Sequence, residues 1–164
     1  MKAILLILII SMFGVIGFGV AGSYFERKRF FFNLLEFLKQ TKSLVGFSST
    51  KLTEILNKQS YYGDKHFKRL IKNYMSVLND NLNISLDNLF YDITILTNEE
   101  KQDIFSFFKG LGMYDQTTQI KQIELLESKC KHYFETASED AKKYGELYSK
   151  LGLIVGAFVA LVVF

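Results

Sequence analysis

Proline is absent from all 164 residues, and so is tryptophan. Without proline no helix interior loses an amide donor or meets a ring clash, so long uninterrupted helices are favoured. Turns are left to Gly, Asn, Ser and Asp. Cysteine occurs once, at Cys130, which excludes an internal disulfide and suits a reducing compartment. Its thiol reads as a small apolar group on a helix face. A strong basic excess is missing too. All seventeen acidic residues, and all but one of the twenty Lys and Arg, lie between Glu26 and Lys150. That stretch is close to neutral, which argues against nucleic acid as the main partner, because phosphate binding needs a dense positive surface. The length suits a single domain.

What is present is apolar residue at both ends of a charged middle. The run "AILLILIISMFGVIGFGVAGSYF", Ala3 to Phe25, carries no charge. As a helix it reaches about 34 Å, enough to span a bilayer with some tilt. It is longer than a signal-peptide core, so a retained anchor is expected rather than a cleaved leader. The other end, "YSKLGLIVGAFVALVVF", has no charge after Lys150. Counted from Leu147 with Lys150 reaching back to the surface, it offers about eighteen residues, near the lower limit for a span. The cationic "ERKR" and "AKKYGELYSK" flank the middle segment, and the positive-inside rule places both flanks in the cytoplasm. The expected organisation is an N-terminal anchor over 1–25, a cytoplasmic helical domain over 26–150 and a C-terminal anchor over 151–164.

Periodicity in the middle is helical throughout. Phe31, Leu35, Leu38 and Val45 form one stripe, widened by Phe30, Leu34 and Phe37, that continues the first anchor. "TKLTEILNKQ" reads as a short helix. Asp64 caps a helix with Phe67, Leu70, Ile71, Tyr74, Met75 and Leu78 on its inner face. Ser85 opens another with Leu86, Leu89, Phe90 and Ile93, whose β-branched tail "ITIL" is equally compatible with extended chain. Thr97 and Glu100 have capping-box spacing ahead of Ile104, Phe105, Phe108 and Leu111, and Gly110 and Gly112 stop that helix. From Asp115 a seam of Ile123, Leu126, Cys130, Tyr133, Ala137, Ala141, Tyr144, Tyr148 and Leu151 runs straight into the apolar end, predicting about 75 Å of helix. The fold class is all-α: a compact bundle of about six helices whose first and last helices continue into transmembrane helices.

A catalytic site should gather unlike polar groups. His66 and His132 are far apart and each lies among lysines; no phosphate loop is present, and no nucleophile stands beside a base. A non-enzymatic protein is expected, with no cofactor, no metal and no small-molecule substrate.

Two other features stand out. Lys65, Lys68, Arg69 and Lys72 fall opposite the apolar stripe and make a basic ridge, either a solvated face or a docking surface for an acidic partner or anionic lipid. Gly152 and Gly156 form G-x-x-x-G, while Gly14, Gly17 and Ala21 share a face of the first anchor. Small residues at that spacing let helix backbones approach, so the two anchors are expected to pair.

The last third of the chain carries "LGMYDQTTQ" at Leu111 to Gln119 and "KYGELYSKLGLIVG" at Lys143 to Gly156. With them it resembles the stage III sporulation protein AB family of endospore-forming bacteria, itself similar to the cytoplasmic helical domain of type II secretion F platform proteins. "LGMYDQTTQ", with Leu111, Gly112, Asp115 and Gln119, resembles the family's L-G-x-x-D-x-x-x-Q. "KYGELYSKLGLIVG", with Tyr144, Tyr148, Gly152 and Gly156, resembles its entry into the terminal anchor. Upstream, "TKLTEIL" is similar to T-P-L-x-E-A-L with Lys51 in place of proline, and the tryptophan common in the fourth helix is missing. The resemblance implies a membrane platform subunit of a sporulation secretion or feeding apparatus. It would sit in the mother-cell membrane, face the cytoplasm and couple a secretion-type ATPase to other sporulation channel proteins. A reading from another class is a two-span sensor or adaptor with a helical ligand- or protein-binding domain, which predicts positive charge away from that domain.

Overall fold

The computed structural model describes residues 2–47, 56, 63–80 and 83–163. Among them the chain is all-helical. Helix α1 is Lys2–Phe47, α2 Lys65–Asn79, α3 the single turn Leu86–Leu89 and α4 Asn98–Gly110. Helix α5, Gln116–Asp140, passes through a π turn at Ala141–Gly145 into α6, Glu146–Val163. The short helix expected over "TKLTEILNKQ" lies outside the described residues, apart from buried, helical Leu56.

The chain divides into two compact units, residues 29–135 and residues 1–28 with 136–164. The first unit is built on aromatics. Phe30, Phe31, Leu34, Phe37 and Leu38 of α1 are buried with Phe67, Leu70, Ile71 and Tyr74 of α2, Ile104, Phe107 and Phe108 of α4, and Ile123, Leu126 and Cys130 of α5. Burying such side chains is worth about 2 kcal/mol each. Ring pairs fix their geometry: Phe37 stacks on Phe108 at 6.0 Å, and Tyr74 meets Phe108 at 4.8 Å. Helix starts follow the expected chemistry. The Asp64 carboxylate accepts from the amides of His66 and Phe67. Thr97 and Glu100 satisfy each other's amides, with Glu100 itself buried.

Two expectations are corrected. The helix opened by Ser85 stops after one turn, because α2 side chains capture the carbonyls that would continue it. Asn73 donates to Leu89 at 3.1 Å and Arg69 to Asp92 at 3.2 Å, and Asp92 turns at φ 59°. On α2, Val77 is buried in place of Leu78, which is exposed.

The third correction concerns the long seam. Ala137 and Ala141 are buried as read, but Tyr148 and Leu151 are exposed, and Gly145, Gly156 and Ala160 are buried instead. Four-residue steps advance about 40° around a straight α-helix. The wider π turn takes up that drift and keeps Ala137, Ala141 and Gly145 on one face.

Candidate functional site: paired apolar helices, the basic ridge and a polar cluster

In the unit formed by residues 1–28 and 136–164, α1 and α6 run against each other with backbones nearly touching. A Cβ added to Gly17 would stand 2.7 Å from the Tyr148 carbonyl oxygen and 2.9 Å from the Gly152 Cα. One on Gly152 would stand 2.7 Å from the Phe13 carbonyl oxygen, and one on Gly156 3.1 Å from the Ile10 Cα. At Gly17 and Gly152 a side chain would force the backbones apart, and at Gly156 the neighbouring helix would have to give by a few tenths of an ångström. Gly14 and Ala21 are buried on α1. Since Gly156 lies level with Ile10, Val162 falls level with about Ile4, so the C-terminal helix ends where the N-terminal one begins. The outward side chains, among them Met12, Val15, Phe18, Ile154, Phe158 and Leu161, are exposed and almost all apolar, with the Ser11 hydroxyl bonded back to the Ile7 carbonyl.

The charged end of this pair is tied down by unlike contacts. Tyr24 packs on Tyr144 at 5.7 Å and stacks on Tyr148 at 6.1 Å. Gly145 admits the Phe25 ring, which would meet an added Cβ at 2.8 Å. The Arg27 guanidinium donates to the Asp140 carboxylate at 3.0 Å. The Lys143 ammonium stands 5.1 Å from the Tyr144 ring centroid. Tyrosines and lysines at this level are the groups that favour a bilayer surface.

The basic ridge lies in the other unit, on α2. Lys65, Arg69 and Lys72 are exposed and Lys68 is half-buried. Arg69 is already engaged with the Asp92 carbonyl, so it holds the α3–α4 turn as well as presenting charge. Of the motif residues, Leu111 and Gln119 are buried, and Gly112 adopts φ 83°, a turn conformation that suits glycine. Asp115 caps α5 by accepting from the Thr118 amide and hydroxyl, which holds its carboxyl below the usual range. The L-G-x-x-D-x-x-x-Q pattern thus builds the turn and the capped start of α5.

Sequence reasoning missed one cluster. Asp103 on α4 accepts from Lys129 at 2.7 Å and from the Tyr133 hydroxyl at 2.6 Å, both on α5. Burial pushes the Asp103 carboxyl up, but the hydrogen bonds from Lys129 and Tyr133 outweigh it and leave the group below its usual value. Burial and the bond to Asp103 push the Tyr133 phenol up. Burial likewise drives the Cys130 thiol up, and it is fully enclosed. Nothing in the linear spacing links Asp103 to residues 26 and 30 positions on. Among the described residues there is no group of three or more His, Cys, Asp or Glu placed to hold a metal.

One helix among the described residues, Gln116–Val162, is long and apolar enough to cross a membrane. Its most apolar window is only 18% buried, unlike the core helix of a soluble protein. No curated protein and no solved structure matches the chain. A family model does match, that of stage III sporulation protein AB, over residues 2–164. The match covers nearly the whole chain and includes both apolar ends, the capped helix start at Asp115 and the glycine-paired segment, so the protein belongs to the stage III sporulation protein AB family.

Proposed function

We propose that this protein is a non-enzymatic membrane platform subunit of a sporulation secretion or feeding apparatus. Its two apolar helices form a paired membrane anchor, and the unit over residues 29–135 is its cytoplasmic domain in the mother cell. That domain couples a secretion-type ATPase to the channel components of the membrane. The observation that carries the reading is the backbone contact of Gly17 with Gly152, which joins the two apolar helices through glycines on both sides. The cationic flanks at Arg27 to Arg29 and Lys142 to Lys150, against Lys2 alone at the other end of the first apolar run, support a cytoplasmic domain. A helical domain with an aromatic core and a glycine-packed helix pair suit a part that transmits force rather than one that performs chemistry.

The basic ridge is one docking face for the ATPase, with Lys65, Lys68 and Lys72 as the contacting charges and Arg69 retained for its turn. The test is co-purification of the full chain from sporulating cells in detergent. A secretion-type ATPase should come down with the wild type and be lost when Lys65, Lys68 and Lys72 are changed to Glu. Capture of no ATPase by the wild type would sink the platform reading. Unchanged capture by the triple variant would remove only the ridge from it.

A further inference from the structure

In the unit formed by residues 1–28 and 136–164, the π turn Ala141–Gly145 buries Ala141 and Gly145 and leaves Lys142 and Lys143 exposed. Such turns are rare and recur at functional sites. The Lys143 ammonium rests 5.1 Å from the Tyr144 ring centroid, a contact that holds its position and leaves its charge in place. Neither lysine has an acidic partner among the described residues. Of the acids at this end, Asp140 is bonded to Arg27 and Glu146 stands 3.8 Å from Lys150. Glu26 and Glu139 lie further from the apolar ends than Tyr24 and Lys142.

Two observations say what these cations bind. Tyr24, Tyr144 and Tyr148 form a ring cluster beside Lys143, and none of their hydroxyls bonds to another of the described residues. Phenol donors next to two unpaired ammonium groups are a set that a phosphate accepts from. One turn past Lys143, Leu147 opens an exposed apolar row of Leu147, Leu151, Ile154, Phe158 and Leu161, whose spacing keeps it on one face of α6. Leu147 is 46% exposed and Phe158 67%. A free phosphate ion would use the cations alone. A phospholipid uses both features, with its phosphate at the lysines and an acyl chain along the row.

We infer that Lys142 and Lys143 hold the headgroup of an anionic phospholipid whose acyl chain lies along Leu147, Leu151, Ile154 and Phe158. The inference rests on the reading of α1 and α6 as a paired membrane anchor and adds a lipid preference to it. A negative leaflet attracts any basic residue near it, and that attraction alone is diffuse. Here the tyrosine cluster and the apolar row tie it to one position on the helix pair.

The test is spin-label electron paramagnetic resonance on the full chain in phosphatidylcholine vesicles at low salt. Each sample carries a trace of labelled phosphatidylglycerol or labelled phosphatidylcholine, and the motionally restricted fraction reads how strongly that lipid is held. The wild type should hold phosphatidylglycerol at least about fivefold more strongly, the effect of one lysine near a charged headgroup. Lys142→Gln with Lys143→Gln should bring the two lipids close to parity, and Lys142→Arg with Lys143→Arg should keep the preference. Lys109→Gln with Lys121→Gln removes the same charge from the other unit and should leave the preference as it is. Equal retention of both lipids by the wild type, or an unchanged preference in the double glutamine variant, would overturn the inference and leave the anchor standing. So would loss of the preference when inorganic phosphate replaces chloride at matched ionic strength, which would make the lysines a free-anion site. No restricted fraction for either lipid would overturn the anchor reading and this inference together. Circular dichroism of each variant separates lost binding from lost fold.

Discussion

Arg27 and Asp140 are joined at 3.0 Å, one on α1 and the other at the last residue before the π turn. Their side chains are 18% and 30% exposed, so the pair is partly shielded from solvent. It sits at the charged end of a glycine-packed helix pair that also holds the Tyr24–Tyr148 stack. A single ion pair would fix only a distance; together with the stacked rings it fixes the register of one helix on the other.

Breaking that pair should loosen the anchor by a modest amount. Arg27→Gln and Asp140→Asn should each destabilise by about 1 kcal/mol, with a coupling near that size in the double variant. Thermal unfolding of the full chain in detergent reads this directly. The charge swap Arg27→Asp with Asp140→Arg should recover part of the loss. Additive single effects would show that the two groups do not interact.

Glycines on the two faces of α1 should behave oppositely. Gly17→Leu places atoms where the Gly152 backbone stands, and Gly152→Leu does the same against Phe13, so both should separate α1 from α6. Gly19 is exposed and has nothing within 4 Å of an added Cβ. Gly19→Ala should be neutral or stabilise the helix by up to about 1 kcal/mol. The measurement is thermal unfolding of the full chain in detergent, whose midpoint should fall in Gly17→Leu and Gly152→Leu and hold or rise in Gly19→Ala.

The parts of the fold legible in sequence are those set by local chemistry. Asp64, Thr97 and Asp115 announce helix starts because a side-chain oxygen near an orphan amide acts within three residues. The α2 face is legible because its apolar spacing matches one helix turn. Gly17, Gly152 and Gly156 were legible as small faces, though spacing alone does not fix which glycine meets which. The α3 stop was not legible, since it depends on Arg69 and Asn73 reaching a carbonyl 16 to 23 residues away. Neither was the π turn: steps of four at Ala137, Ala141 and Gly145 fit a helical pattern but exceed the period of an α-helix. The Asp103 cluster joins residues of different helices, a relation that one-dimensional periodicity does not carry.

Acid and alkali should attack the bundle through different groups. The Asp103 carboxyl is held below its unfolded value by Lys129 and Tyr133. Its contribution is therefore present above about pH 4, the unfolded carboxyl range, and is lost as pH falls through the lower folded value. Cys130 and Tyr133 are raised, so their contributions are complete below their unfolded values, about 8.5 and 10, and are lost as pH rises beyond them. Melting temperature should fall at both extremes. Asp103→Asn should flatten the acid limb, and Cys130→Ala should flatten the part of the alkaline limb that begins near pH 8.5. An unchanged acid limb in Asp103→Asn would assign acid unfolding to other carboxylates.

Sidedness of the domain is best read at Ser106, because native Cys130 is no reporter of it. The Cys130 side chain is fully buried and burial favours its neutral thiol, so an impermeant maleimide should leave it unlabelled from either side of a membrane. Ser106 is exposed on α4, and its hydroxyl bonds only its own helix, to the Gln102 carbonyl. The Ser106→Cys variant should thus fold as the wild type and present one accessible thiol. On intact protoplasts expressing the full chain, that thiol should stay unlabelled, then react once the membrane is permeabilised. Cys130 should react in neither condition and only after unfolding in detergent, which supplies the internal blank. Labelling of Ser106→Cys on intact protoplasts would place the domain outside and remove the cytoplasmic platform as its function. Positive charge at Arg27, Lys28, Lys142 and Lys143 predicts the opposite result.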